Sequence, residues 1–128
     1  MQENENFILI VDDLPDNQIL LLEIIEELGY KYLIAENGKE ALEKLLFNPV
    51  QLIFMDIEMP VMNGIETTRE IRTKYLYPKR EVPIVAISAH YYELMTDQFT
   101  GAGFSEYLEK PYTIQTIERI LEKYCPEK

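Results

Sequence analysis

Leu52-Ile53-Phe54-Met55-Asp56-Ile57-Glu58-Met59-Pro60-Val61-Met62-Asn63-Gly64 is the stretch from which the fold can be read. Four apolar residues run into one carboxylate, and a Pro and a Gly follow within eight residues. A short apolar run without alternation reads as a strand buried on both faces, Leu52 to Met55, which requires a parallel sheet covered on both sides. Asp56 then stands where the strand ends and the chain turns. In open parallel sheets that carboxyl end is where ligands bind, so Asp56 is the first candidate for chemistry.

Working outward, the same pattern recurs. Phe7-Ile8-Leu9-Ile10-Val11 is a second continuous apolar run, and it ends in Asp12-Asp13. Leu14-Pro15-Asp16-Asn17 can open a helix, with Pro tolerated in the first turn. That helix runs to Gly29 as its C′ residue, with Leu21, Ile24, Ile25 and Leu28 inward and Ile19 on the polar side. Tyr32-Leu33-Ile34-Ala35 is a short strand. Asn37-Gly38 is expected to turn, and Lys39 to Phe47 to be a helix with Ala41, Leu42 and Leu45 inward. After the opening strand and the loop 57–63, a largely polar helix is expected from Ile65 to about Tyr75, anchored by Ile65 and Ile71. An exposed connection through Tyr77-Pro78 leads to a strand over Pro83–Ser88. Tyr91 to Gly101 reads as a helix, Glu106 to Glu109 as a last strand. Thr113 is an N-cap candidate for a final helix with Ile114, Ile117, Leu121 and Tyr124 inward. Five strands alternating with five helices predict a single α/β domain over 1–128, core about 7–124, in the flavodoxin-like (βα)5 order 2-1-3-4-5.

Composition narrows the function classes. The 128 residues carry a net charge of −11, which argues against direct binding of nucleic acid or of an anionic membrane surface. One cysteine, Cys125, allows no internal disulfide and fits a reducing compartment. The first six residues lack a basic segment followed by an apolar core, and no apolar run approaches membrane-spanning length. A cytosolic location is expected.

In the order 2-1-3-4-5 the strand ends bring together Asp12-Asp13, Asp56, Ser88 and Lys110. Three carboxylates converge beside the topological switch point. Like charges that close oppose one another, and a divalent cation removes the conflict. All-oxygen ligands suit Mg²⁺ or Mn²⁺ rather than Zn²⁺, and one His with one Cys cannot build a zinc site. A carboxylate there can attack a phosphoryl group, while Lys110 and the Ser88 hydroxyl neutralise and hydrogen-bond its oxygens. Taken singly, the pieces have plainer uses. Asp12-Asp13 would serve equally well as helix N-cap acids, Lys110 as a surface lysine, Ser88 as a strand-end turn residue and Tyr107 as a half-buried aromatic.

Together, Asp12-Asp13 after Ile8-Leu9-Ile10-Val11, Met55-Asp56 to Asn63-Gly64, Ala86-Ile87-Ser88-Ala89 and Lys110-Pro111 resemble the receiver domain of two-component response regulators, over Phe7 to Tyr124. The resemblance implies that Asp56 takes a phosphoryl group from a phosphohistidine and that Mg²⁺ is held by Asp13, Asp56 and the backbone carbonyl of Glu58, with Asp12 acting mainly through water. Ser88, where the family more often has Thr, and Lys110 would hold phosphoryl oxygens. Tyr107 would be the aromatic that rotates inward with Ser88, and Lys110-Pro111 would be cis. Glu58 and His90 would flank the attacking water and tune the lifetime of the phosphate.

The same resemblance implies partners. A histidine kinase or phosphotransfer domain would dock near Leu14, Asn17 and Ile19. A downstream partner would read the face of the fourth helix, fifth strand and fifth helix, near Tyr91, Tyr92 and Tyr107. The protein would be a switch rather than an enzyme, catalysing only its own phosphorylation and slow dephosphorylation. The wording Met-Pro-Val-Met-Asn-Gly resembles receivers attached to hybrid histidine kinases. The rivals fit less well. A phosphohydrolase with an Asp nucleophile of the haloacid-dehalogenase type carries Asp-x-Asp on its first strand, where this chain has Asp-Asp. A flavin carrier needs a Ser/Thr/Gly-rich phosphate loop there. A receiver that only docks would lack an acid or base that this chain retains.

Overall fold

The computed structural model describes residues 6–59, 62–90 and 96–126. Five parallel strands, β1 (Phe7–Val11), β2 (Tyr32–Ala35), β3 (Val50–Asp56), β4 (Ile84–Ser88) and β5 (Glu106–Glu109), form one sheet in the order β2-β1-β3-β4-β5. This is the flavodoxin-like order expected from the alternation. Among the described residues the helices are α1 (Pro15–Glu27), α2 (Gly38–Phe47), α3 (Gly64–Lys74), α4 (Asp97–Thr100) and α5 (Ile114–Tyr124), with a 3₁₀ turn at Lys79–Glu81.

Burial explains why the inner strands read as apolar runs. On one face Ile8, Ile10, Leu52, Phe54, Val85 and Ile87 pack under α1 and α5. On the other, Leu9, Val11, Ile53, Met55 and Ile84 pack under α2 and α3. In β1, β3 and β4 successive side chains alternate between two covered faces, so their central residues are all apolar, whereas the edge strand β5 buries only Leu108.

Helix ends follow local chemistry. Gly29 lies in the left-handed region at φ 91° just after the C-cap of α1, where glycine carries no steric cost. Asn63 and Glu66 form a capping box at α3, each binding the other's backbone N–H. Thr113 accepts a hydrogen bond from the N–H of Thr116 and caps α5, as expected.

Some expectations are corrected. Asn37-Gly38 is not a separate turn: Asn37 caps α2, accepting from the Glu40 N–H, and Gly38 is the first helical residue. A Cβ on Gly38 would overlap the Thr67 hydroxyl on α3, so that position takes only glycine while the two helices lie this close. β3 is longer than Leu52–Met55, and Asp56 is its last residue rather than the first of a loop. The helix expected from Tyr91 to Gly101 does not pass through Thr96. That residue is extended (φ −88°, ψ 153°), and its side chain caps Phe99, so α4 covers four residues. Tyr91 and Tyr92 lie outside the described residues. On α5, Ile120 is buried and Ile114 is exposed, because Ile114 opens the helix beyond the end of β5 and finds no strand to pack on. On α3, Thr67 and Thr68 are fully buried beside Ile71, while Ile65 is only partly covered.

Candidate functional site

Register builds the site. Val11 pairs with Met55, so the residues that follow, Asp12 and Asp56, leave adjacent strands at the same level. Asp56 pairs with Ile87, and Ser88 pairs with Glu109, which puts Ser88 and Lys110 on the next two strand ends. The Lys110 N–H donates to the Ser88 carbonyl at 2.9 Å. Lys110-Pro111 is cis, as expected; Tyr77-Pro78 is also cis, which was not foreseen.

Ligand oxygens of Asp12, Asp13 and Asp56 all lie within 4.8 Å of one another. Asp12 and Asp56 are both 5% exposed, so neither charge is relieved by water. The Lys110 ammonium stands 3.9 Å from Asp12 Oδ2. One cation faces three acids, and the imbalance registers at Asp56. Its carboxyl is pushed up from 3.8 to about 7, first by burial; the Glu58 N–H and Lys110 oppose the shift, Asp12 and Asp13 reinforce it. Asp56 Oδ1 accepts from the Glu58 N–H at 3.0 Å, which orients the carboxylate at the end of its strand. An oxygen-only set of this size and charge fits a hard divalent cation of the Mg²⁺ type.

Around this centre the remaining candidates fall into two groups. The Ser88 hydroxyl, 1% exposed, donates to the His90 carbonyl at 3.1 Å and accepts from the His90 N–H at 3.0 Å. It is therefore tied to the loop that follows β4. Glu58 and His90 are exposed at the rim. Tyr107, on β5, is 49% exposed. Leu14 and Ile19 are half exposed on α1, and Asn17 is partly covered; Leu20, exposed to 53%, extends that surface and was not singled out from the sequence.

Two further residues at the site were missed. Gln18, in the first turn of α1, donates from Nε2 to the Asp12 carbonyl at 2.6 Å. Tyr112, just past Lys110-Pro111, has its phenol pushed up to about 12, first by burial and then by the charge of Asp12. The position of Gln18, six residues after Asp12 and on the helix turn that faces back to β1, is the signal that would have found it.

This strand order with acids at the switch point is that of a signalling module of the two-component type. A family model, the response regulator receiver domain, matches residues 8–122, and the chain belongs to that family. Over 119 residues it is 33% identical to the signal transduction histidine-protein kinase BarA of Shigella flexneri, covering 93% of this chain and 13% of that protein. Over 124 residues it is 33% identical to two-component response regulator 24 of Arabidopsis thaliana, covering 96% of this chain and 86% of that protein. Among solved structures it resembles the receiver domain of the sensor histidine kinase PA1611 of Pseudomonas aeruginosa, which has a magnesium ion coordinated in its active-site cleft. There the identity is 31%, the TM-score 0.86, and 96% and 99% of the two chains are covered. It also resembles the response regulator TrrA of Thermotoga maritima in complex with Mg²⁺-BeF, at 34% identity and TM-score 0.81, covering 93% and 98%. Among the described residues, no helix is long and apolar enough to cross a membrane.

Proposed function

We propose that this receiver domain accepts a phosphoryl group on Asp56 from a phosphohistidine of a partner protein, in a Mg²⁺-dependent transfer, and passes the change to a second surface. The observation that carries the reading is the cluster of Asp12, Asp13 and Asp56 within 4.8 Å, with Lys110 beside it. In the transfer, an Asp56 carboxylate oxygen forms a bond to phosphorus as the donor's P–N bond breaks. The electron pair of that bond stays on the imidazole nitrogen. Asp56 Oδ1 is held by the Glu58 N–H, which leaves the second carboxylate oxygen to aim at the incoming phosphorus.

Asp13, Asp56 and the Glu58 carbonyl would hold the metal, with Asp12 mainly through water; Mn²⁺ would suit the same oxygens. The bound ion supplies charge screening between an anionic carboxylate and an anionic phosphoryl group. Lys110 would move from Asp12 toward a phosphoryl oxygen, and Ser88 would donate to another. To do so Ser88 would leave the His90 carbonyl, and the state before phosphorylation would be the one with Ser88 on His90 and Tyr107 half exposed. Inward rotation of Tyr107 would then remodel the face of α4, β5 and α5. Glu58 and His90, both exposed, would affect how fast water removes the phosphate.

The donor, a histidine kinase or phosphotransfer domain, would dock on α1 through Leu14, Asn17 and Ile19. The chain spans 13% of the length of the BarA kinase it matches, and a receiver within a hybrid kinase is the larger context we favour. The proposed unit of function is the whole chain, 1–128, with its core at about 7–124, in a cytoplasmic setting and with no enzymatic role beyond its own phosphorylation and slow dephosphorylation.

Incubation with Mg²⁺ and acetyl phosphate tests this reading. Intact-mass analysis should show one phosphoryl adduct that is absent in Asp56→Asn and absent in EDTA. No adduct on the unaltered chain, or an adduct that survives in Asp56→Asn, overturns the assignment.

A further inference from the structure

The residue that follows Asp56 is gripped in three ways. The Ile57 N–H donates to the Ile87 carbonyl of β4 at 3.2 Å, and the Ile57 carbonyl accepts from the Gly64 N–H, at the start of α3, at 3.3 Å. The Ile57 side chain, 4% exposed, is buried in a small apolar cluster with Ala86 of β4 and Phe99 of α4. Ile65 and Phe104 pack against that cluster, whose buried members belong to neither of the two larger layers on the sheet.

The first two grips lead to β4 and α3. The third leads to α4, a helix of four residues. One turn does not hold its own shape in water, so its position is set by what it packs on. Asp97 and Thr100 are exposed, and Phe99 is the buried side chain of that turn among the described residues. Its ring stacks on Phe104 with centroids 4.8 Å apart. Phe104 stands on a fixed base, because the carbonyl of Gly103 just before it accepts from Arg72 Nε at 2.8 Å. Phe99 is thus backed by an anchored ring and shares its apolar seat with Ile57. Ser88, His90 and Tyr107 are not members of the cluster.

We propose that Phe99 is a positioning residue for the phosphoryl acceptor: acting through Ile57, it holds the Asp56–Ile57 peptide and so the direction in which the Asp56 carboxylate meets an incoming phosphorus. This role rests on Asp56 being the acceptor. Orientation of that kind is costly to lose, since a misplacement of about 1 Å can cost about a hundredfold in rate. A Phe99 that only packed would lower stability when truncated and leave the peptide after Asp56 as it was.

The full chain carrying Phe99→Ala tests the difference. Ile120→Ala, on α5 in the layer across the sheet, removes comparable packing and is the control. Amide hydrogen exchange at Ile57 and Gly64 should rise about tenfold in Phe99→Ala and stay unchanged in Ile120→Ala. With Mg²⁺ and acetyl phosphate, the limiting rate of adduct formation should fall about tenfold in Phe99→Ala, with the half-saturating acetyl phosphate concentration unchanged. Phe99→Met should restore both readouts, because a flexible thioether fills the seat and still meets the Phe104 ring. Ile57→Ala should reproduce the loss, and the double variant Phe99→Ala/Ile57→Ala should lose no more than either alone. Unchanged exchange at Ile57 and Gly64, an equal rise in Ile120→Ala, or losses that add in the double variant overturn the proposal. If the unaltered chain forms no adduct, the assignment of Asp56 fails, while the exchange measurement still decides whether Phe99 holds the peptide.

Discussion

Gln18 holds Asp12 by its main chain: Nε2 donates to the Asp12 carbonyl at 2.6 Å, while the Leu14 N–H binds Asp12 Oδ1 at 3.0 Å. The peptide between Asp12 and Asp13 is thereby fixed, and with it the direction in which both carboxylates leave the strand. Groups that orient a metal's ligands are worth tenfold or more in affinity. Gln18→Leu should weaken Mg²⁺ binding about tenfold by NMR titration, with the urea midpoint nearly unchanged. Asp16→Asn, on the same turn but exposed, is the control. Equal metal affinity in Gln18→Leu and the unaltered chain would mean that the loop holds its shape without this bond.

The carboxyl of Asp56 gives a pH signature. Its pKa in the folded chain is raised from 3.8 to about 7, chiefly by burial. The folded state then binds the proton more tightly than the unfolded state, so stability contributed by this group is lost as pH rises from about 4 to about 7. In EDTA, Asp56→Asn should leave urea stability nearly unchanged at pH 4 and raise it by the order of 1–3 kcal/mol at pH 8. Mg²⁺ should remove most of that difference. A gain of the same size at both pH values would show that packing, not charge, is the cause.

Arg72 is a three-way clamp. Nε donates to the Gly103 carbonyl at 2.8 Å, and one terminal nitrogen donates to the Arg80 and Val82 carbonyls at 2.8 and 2.7 Å. It ties α3 to the segment before β4 and to the turn before β5. Arg72→Ala should cost about 2–4 kcal/mol in urea unfolding, since carbonyls lose charged donors. Arg72→Lys should recover little, because one ammonium cannot span the fork. Gly103 should resist substitution too: φ is +101°, and a Cβ would meet Arg72 Cγ at 2.9 Å.

Cys125 should be inert in the native protein. It is 1% exposed, and burial pushes its thiol up to about 11. A folded pKa above the usual 9.0 favours the neutral thiol in the folded state, so this group's contribution to stability is lost as pH rises above 9. At pH 8 an aromatic disulfide reagent should label the native chain negligibly and the urea-unfolded chain stoichiometrically. Rapid native labelling would place the sulfur nearer the surface.

Most of the framework could be read in advance because parallel strands covered on both faces leave an unmistakable apolar run, and β2 and β5 were placed to the residue. Helix ends were harder. Asn37 caps α2 where Gly38 lies against Thr67, a contact far apart in sequence, and Thr96 caps α4 beside Phe99, whose ring stacks on Phe104 at 4.8 Å. Asp12, Asp13, Asp56, Ser88 and Lys110 were legible because each ends a strand. Gln18 was not, since a polar side chain turned inward from a helix looks like any solvent-facing one, and Tyr112 lies in the irregular segment between β5 and α5, where no periodicity marks it. Ile114 shows the limit of periodicity: it has the right spacing for the inner face and no strand beneath it.

Gly64 touches the peptide that the chain left eight residues earlier. A Cβ there would stand 2.5 Å from the Asp56 carbonyl oxygen, and the Gly64 N–H reaches the Ile57 carbonyl at 3.3 Å. With Asn63 locked to Glu66 next door, the start of α3 is pinned directly onto the end of β3. A side chain at Gly64 would push on Asp56 itself, so whatever shifts the first turn of α3 shifts the very peptide that carries the carboxylate.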